Sequence, residues 1–197
     1  MVAGDGSGSL AWKDISKEAI YSGPVFAVFE KLSEGPEGRL GKFSVIEASD
    51  WAVVVPLVRS SASPEFLMVR QYRHGPDRPS LEFPGGVVEK GEEPMAAAAR
   101  ELAEETGWAS DTILHAGTVF PNPAIQSNHF HVFLALDPKP SVDRNLDEHE
   151  VVDALLVPTS SVMNGMGEGE LSHALMATAL FLAEKLTRKL NLADLFA

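Results

Sequence analysis

The chain has 197 residues, 45% of them hydrophobic, a formal net charge of −12 and no cysteine. That length and apolar content suit one medium domain with a small extension, while the missing cysteines exclude disulfides, thiolate nucleophiles and cysteine-based zinc sites. The acidic balance argues against nonspecific nucleic-acid binding, which needs Lys and Arg against phosphates; no apolar run is long enough to span a membrane; and the start lacks a basic segment before an apolar core, so no secretory leader is expected and the expected compartment is the cytoplasm.

Residues 1–16, with their Gly and Ser content, read as a flexible N-terminal segment. Residues 17–48 read as a small β subdomain, a meander with a Gly/Glu/Pro turn at 33–41. The apolar run 51–58 (WAVVVPLV) reads as a buried strand, and 66–72 (FLMVRQY) as a second one after a turn at 60–64. Gly75, Pro76 and Pro79 mark 74–80 as a loop. After a helix described below, 113–120 and 129–136 read as strands around a proline-bearing loop, and 137–150 as an acidic loop. A strand at 151–157 follows, then helices over 159–165 and 171–190, the second with Leu171, Leu175, Ala179, Leu182 and Leu186 on one stripe. There is no internal repeat. Strands, a helix, more strands and a terminal helix predict an α+β fold around a mixed sheet.

Residues 86–108 (GVVEKGEEPMAAAARELAEETGW) carry the chemistry. Pro94 suits a first helical turn, and Gly107 suits the left-handed position that ends a helix. At 100° per residue, Glu101, Glu104 and Glu105 share one face, with Arg100 on the flank of Glu104 and able to pair with it. Met95, Ala99, Leu102 and Ala103 fall on the opposite side and are expected to pack against the sheet. Like charges at this spacing each cost about 0.2–0.5 kcal/mol in an isolated helix. One Arg cannot neutralise three carboxylates, whereas a hard divalent cation bound against phosphate would. An anonymous acidic cluster of this kind is more often a solvated face, but here the spacing is far more specific.

The run resembles the Nudix box. Gly86, Glu92, Arg100-Glu101-Leu102, Glu104-Glu105 and Gly107 occupy its fixed positions, and Trp108 stands where the family usually has an aliphatic residue. The resemblance implies a Nudix-type α/β/α sandwich with a mixed β-sheet, with the Nudix domain over 49–197 and the β subdomain 17–48 as a candidate dimerisation element. It also implies Mg²⁺, with Mn²⁺ as a substitute. Glu101 and Glu105 would be metal ligands, Glu104 would assist, Arg100 would orient the glutamates, and the carbonyl of Gly85 would be a backbone ligand.

Further stretches resemble the ADP-ribose pyrophosphatase branch of that family. The acidic loop of LDEHEVVDALLV supplies Asp147, Glu148 and Glu150; matching an E-x-E loop of the branch implies Glu148 as general base and Glu150 as metal-linked. In the stretch VRQYR, Arg73 would fork onto a diphosphate. In LEFPGG, Glu82 would sense substrate or support Arg73; the branch often has Ala at the position of Gly85, a change a backbone role tolerates. Pro123, fifteen residues past Trp108, matches a proline marker of enzymes acting on ADP-ribose, with Pro121 as a competing match. Trp12, Phe26, Phe29 and Trp51 are candidates to stack on a base, although core packing is the commoner fate of such rings. His129 and His131 alternate on a strand and share a face; with no third ligand beside them they read as hydrogen-bonding or substrate-loop groups rather than zinc ligands.

The expected activity is Mg²⁺-dependent hydrolysis of ADP-ribose or a related nucleoside diphosphate sugar to a nucleoside monophosphate and a sugar phosphate. Two alternatives stay open: another nucleoside diphosphate derivative, such as GDP-mannose or a dinucleoside polyphosphate, and a noncatalytic nucleotide-sugar sensor. The intact carboxylates favour an enzyme. The expected partners are a small-molecule nucleoside diphosphate derivative and a second copy of the chain, with neither nucleic acid nor membrane.

Overall fold

A computed structural model describes residues 10–60, 63–141, 144–146 and 151–196. The chain divides into two compact units, one running to Ser49 with Phe120–Asn128 added, the other formed by Asp50–Val119 and the chain from His129 onward.

The first unit is an antiparallel meander of β1 (Lys13–Ser22), β2 (Phe26–Glu34) and β3 (Leu40–Ala48). β1 starts at Lys13, inside the stretch expected to be a flexible segment. The reason is cross-strand partnership: Asp14 meets Lys31 at 2.6 Å and accepts from the Ser33 hydroxyl at 2.9 Å, a pairing that local composition does not reveal. Within this unit the segment Phe120–Asn128 is tied to β3. Ile46 donates its N–H to the Ile125 carbonyl at 2.7 Å, and Ser127 donates to the Ile46 carbonyl at 3.2 Å.

The second unit is built on a sheet ordered β12-β5-β4-β10-β9. Its strands are β4 (Trp51–Val58), β5 (Glu65–Arg73), β9 (Thr112–Val119), β10 (Phe130–Leu136) and β12 (Val152–Pro158); β6 (Arg78–Glu82) pairs with β5, and β7 (Gly85–Val87) pairs with β4. β4 and β10 run parallel and the other neighbours antiparallel, so the sheet is mixed, as expected. Two-residue strands β8 (Trp108–Ala109) and β11 (Lys139–Pro140) pair separately.

The unbroken apolar run of β4 is explained by burial on both faces. Ala52 and Val54 pack toward α1 (Pro94–Thr106) with Leu67, Ala97, Ala98, Leu102 and Phe133. Val53, Val55 and Leu57 pack on the other side with Phe66, Met68, Val132 and Leu134. That second layer is closed by α2 (Thr159–Gly165) and α3 (Ala174–Lys189), through Val162, Met176, Ala179, Leu180 and Ala183. The result is a sheet covered by helices on both faces. No helix of the described residues is long and apolar enough to cross a membrane.

Three local expectations change. Residues 78–80 belong to strand β6 rather than to a loop; among the described residues β6 pairs only with β5, and an edge strand tolerates the missing N–H of Pro79. The buried stripe of α3 is Met176, Ala179, Leu180, Ala183 and Thr187, with Leu175, Leu182 and Leu186 only partly covered. On α1 the buried residues are Ala97, Ala98, Leu102, Glu105 and Thr106, while Met95 is 45% exposed. The helix is therefore rolled so that one of its glutamates, rather than Met95, points at the sheet.

Candidate active site

The site forms where the glycine strand β7 lies between β4 and α1. Gly107, at φ 78°, ends α1 in the left-handed conformation, and its N–H donates to the Ala103 carbonyl at 2.8 Å. Pro94 opens the helix. Both ends are thus fixed by residues whose backbone preferences suit them, and this sets which side chains face β7.

Glu105 is 3% exposed, and the Gly85 N–H donates to its Oε2 at 3.0 Å. Glu101 sits over Gly86, where an added Cβ would overlap its carboxylate, coming within 2.7 Å of Cδ. A Cβ on Gly85 would overlap the Ala52 carbonyl oxygen and lie 2.8 Å from the Val53 Cα. The two glycines thus do different things. Gly85 lets β7 lie close on β4, where a Cβ does not fit without a backbone shift. Gly86 leaves space for the Glu101 carboxylate.

Arg100 gathers the other acids. It donates to Glu92 from Nε and Nη2 at 3.0 and 3.2 Å, and from Nη1 to Glu101 and Glu104 at 2.9 Å each. Nη2 also reaches the Val87 carbonyl at 3.2 Å. Hydrogen bonds donated to Glu92 first, then to Glu104 and Glu101, hold this guanidinium far above its ordinary value against the effect of burial. The Glu92 carboxyl is held below its usual range by Arg100 and by the Glu89 N–H. Arg100 therefore binds the loop before the helix to the helix itself and fixes Glu101 from the side.

Hard oxygen donors on Glu101 and Glu105, kept open by Gly86, suit a divalent cation. Among the described residues no three Asp, Glu, His or Cys side chains close into a metal cage by themselves. The pair would leave further positions for backbone oxygen, water and substrate phosphate, the donor mixture Mg²⁺ favours.

A cleft of about 520 Å³ opens on the α3 side of the same glycine strand. Trp51, Arg73, Glu82, Phe83, Gly85, Gly86 and His173 are in its wall, whereas Glu101, Glu104 and Glu105 are not. Glu82 is 1% exposed and receives Arg73 as a two-pronged fork at 2.8 and 2.7 Å. Burial pushes the Glu82 carboxyl up, but the Arg73 fork and charge and the Ser80 hydroxyl outweigh it and hold the group below its ordinary 4.5. Stability from this pair is therefore complete above pH 4.5 and is lost as pH falls through the lower folded value. Arg73→Ala should cost about 2 kcal/mol at neutral pH, less than the 3–5 typical of breaking a fully buried pair, because 41% of the Arg73 side chain meets solvent. Urea unfolding at pH 7 and pH 4 checks both points: the loss should shrink at the lower pH, and an equal loss at both would contradict the assignment.

At the far side of β7 a polar network surrounds Asp50. Its Oδ1 accepts from the His129 N–H at 2.7 Å, and His131 Nε2 lies 3.3 Å from its Oδ2. His131 Nδ1 is 3.0 Å from Thr118 Oγ1, which is 3.0 Å from His115 Nε2. Burial raises the Asp50 carboxyl, but these hydrogen bonds and the two histidines outweigh it and leave it below its usual range.

Of the residues singled out from sequence, Arg100, Glu101, Glu104, Glu105 and Gly85 meet at β7, and Arg73, Glu82 and Trp51 line the cleft. Pro123 is exposed within Phe120–Asn128 of the first unit. Asp147, Glu148 and Glu150 lie outside the described residues. Sequence reasoning missed His173, which caps α3 by accepting the Leu175 N–H at 3.1 Å while lining the cleft. It also missed Asp50, whose only local signal is its place just before a buried strand.

The NUDIX domain family model matches residues 49–175. An ADP-ribose pyrophosphatase of Bacillus subtilis (strain 168) is 33% identical over 177 residues, covering 87% of this chain and 92% of that protein. A methanol dehydrogenase activator of Bacillus methanolicus is 30% identical, covering 73% and 76%. A solved structure of an ADP compounds hydrolase superposes with a TM-score of 0.78 at 20% identity, covering 92% of this chain and 96% of that one.

Proposed function

This chain belongs to the Nudix family, and from that premise we propose that it is a Mg²⁺-dependent pyrophosphatase of ADP-ribose or a related nucleoside diphosphate sugar, with Mn²⁺ able to replace Mg²⁺. The observation that supports this most is the buried Glu105 held by the Gly85 N–H, with Glu101 beside it over Gly86. Both carboxylates present hard oxygen donors beside the glycine strand, the donor type a divalent cation takes. The relative named as an ADP-ribose pyrophosphatase, matched along most of both chains, favours the substrate.

Glu101 and Glu105, with the Gly85 carbonyl and Glu150, would hold the metal. Bound there, the cation offsets charge developing on the diphosphate oxygens. Arg100 keeps Glu101 and Glu104 in place, while Glu82 aims Arg73, whose exposed edge can take a phosphate oxygen. Trp51, in the wall of the cleft, would contact the remainder of the substrate. Glu148 would take a proton from water as the water oxygen bonds to one phosphorus and the anhydride P–O bond breaks. Its electron pair leaves with the other phosphate, so ADP-ribose gives AMP and ribose 5-phosphate.

The test is a substrate panel with Mg²⁺ or Mn²⁺: ADP-ribose, GDP-mannose, UDP-glucose, diadenosine polyphosphates and nucleoside triphosphates. Phosphomonoester products are read by phosphatase-coupled phosphate release. Preference for ADP-ribose supports the reading; activity confined to GDP-mannose or dinucleotides replaces the substrate; no turnover anywhere favours the sensor. The compartment expected is the cytoplasm. A homodimer through the first unit is part of the proposal, because β1 is exposed along its whole length and Ile15, Ile20, Leu40 and Phe43 lie in solvent. A monomeric mass by light scattering at micromolar concentration would remove it.

A further inference from the structure

Four residues form one row across the sheet: Gly86 pairs with Ala52, Ala52 with His131, and His131 with Thr118. Ala52 packs toward α1, and Gly86 faces Glu101 on that helix. At about 4.8 Å per strand, His131 lies roughly 10 Å along the row from Gly86. The row therefore starts under a carboxylate of the candidate active site and ends in the Asp50 network.

The charge on Asp50 fixes the direction of one bond in the network. An ionised carboxylate only accepts, so His131 donates to Asp50 from Nε2. His131 Nδ1 and His115 Nε2 each lie 3.0 Å from the Thr118 hydroxyl oxygen, which joins the two rings. Asp50 is fixed by the His131 ring and by the His129 N–H, and His129 Nδ1 lies 3.4 Å from its Oδ1. The backbone of Asp50 is tied in as well. Its carbonyl accepts the Val88 N–H at 2.8 Å, and the next residue, Trp51, donates its N–H to the His129 carbonyl at 2.9 Å. Val88 directly follows Val87, whose carbonyl receives Arg100. An unbroken path thus runs from His131 through Asp50, Val88 and Val87 to Arg100, and from Arg100 to Glu101 and Glu104.

We propose that Asp50 and His131 are positioning residues for the carboxylate centre: by locking the Asp50 carboxylate, His131 keeps the Asp50 carbonyl on the Val88 N–H and so fixes the end of β7 against which Arg100 sets Glu101. The proposal places neither residue on the substrate. It rests on the pyrophosphatase reading only for its kinetic arm.

The experiment compares Asp50→Asn, His131→Leu and His131→Gln. Gln can still present a donor to Asp50, whereas Leu cannot. The first readout, in metal-free protein, is amide hydrogen exchange at Val88, which should speed up at least tenfold in Asp50→Asn and His131→Leu but stay within threefold of wild type in His131→Gln. The second is Mn²⁺ binding followed by electron paramagnetic resonance without substrate, where the same two variants should bind about tenfold more weakly. The third is a split in which kcat falls about tenfold while KM for ADP-ribose changes less than threefold. Thermal midpoints separate this from general loosening, which would speed exchange throughout the sheet. Unchanged Val88 exchange and Mn²⁺ binding in Asp50→Asn and His131→Leu would overturn the proposal, as would His131→Gln behaving like His131→Leu. A wild-type protein inert toward every panel substrate would overturn the pyrophosphatase reading instead, and the first two readouts would still decide this one.

Discussion

Glu105→Gln should give a folded protein that hydrolyses its nucleotide substrate roughly 10²–10³-fold more slowly, the range seen when a single charge-stabilising or ligand-supporting group is removed from an active site. Glu105 is buried, yet Gln retains an oxygen that can accept the Gly85 N–H, so that hydrogen bond survives the change. What is lost is a negative charge in a dry place. Removing such a charge also removes its desolvation cost. Stability and activity should therefore part company: the thermal midpoint holds or rises while kcat collapses. Steady-state kinetics beside a melting curve checks this. If the variant instead melts earlier and keeps its turnover, Glu105 is a structural residue and the metal assignment fails with it.

Alanine at the two adjacent glycines should produce two different defects. At Gly85 the new Cβ meets backbone, the Ala52 carbonyl and the Val53 Cα. Backbone in the middle of a sheet cannot move aside cheaply, so Gly85→Ala should cost about 1–3 kcal/mol, the usual scale of overpacking. At Gly86 the atoms nearest the new Cβ are those of the Glu101 carboxylate. A side-chain end can rotate away at little cost to folding, but it leaves the position that Arg100 and the metal require. Gly86→Ala should therefore unfold within about 1 kcal/mol of wild type and lose activity by roughly 10²-fold, as loss of an oriented group does. Denaturant titrations and kcat on the two variants decide the matter. The same loss of stability in both, or full activity in Gly86→Ala, would contradict the division of labour.

Much of this molecule was legible in its residues, for reasons that are local. Pro94 and Gly107 bound α1 because each suits a helix end by its own backbone preference. The uninterrupted apolar run of β4 announces a strand covered on both faces. Spacing alone puts Glu101, Glu104 and Glu105 on one side of a helix and brings Arg100 within reach of Glu104.

The rest depended on which elements meet. Periodicity fixes which residues of α1 share a face but not how the helix is rolled on the sheet; packing Ala98 and Leu102 turned Glu105 inward and left Met95 out. Strand β6 was hidden because Pro79 reads as a breaker until its place at a sheet edge is known. Glu82 and Arg73 stand nine residues apart in sequence and become a fork only because β5 and β6 form a hairpin. Asp50 and His131, eighty-one residues apart, are joined only by the parallel pairing of β4 with β10. The helix, its glutamates and the family they mark follow from short-range geometry. The tertiary structure alone decided which acid is buried, what holds Arg73 and what braces the end of β7, because burial and hydrogen-bond partnership belong to pairs of elements that the chain brings together only on folding.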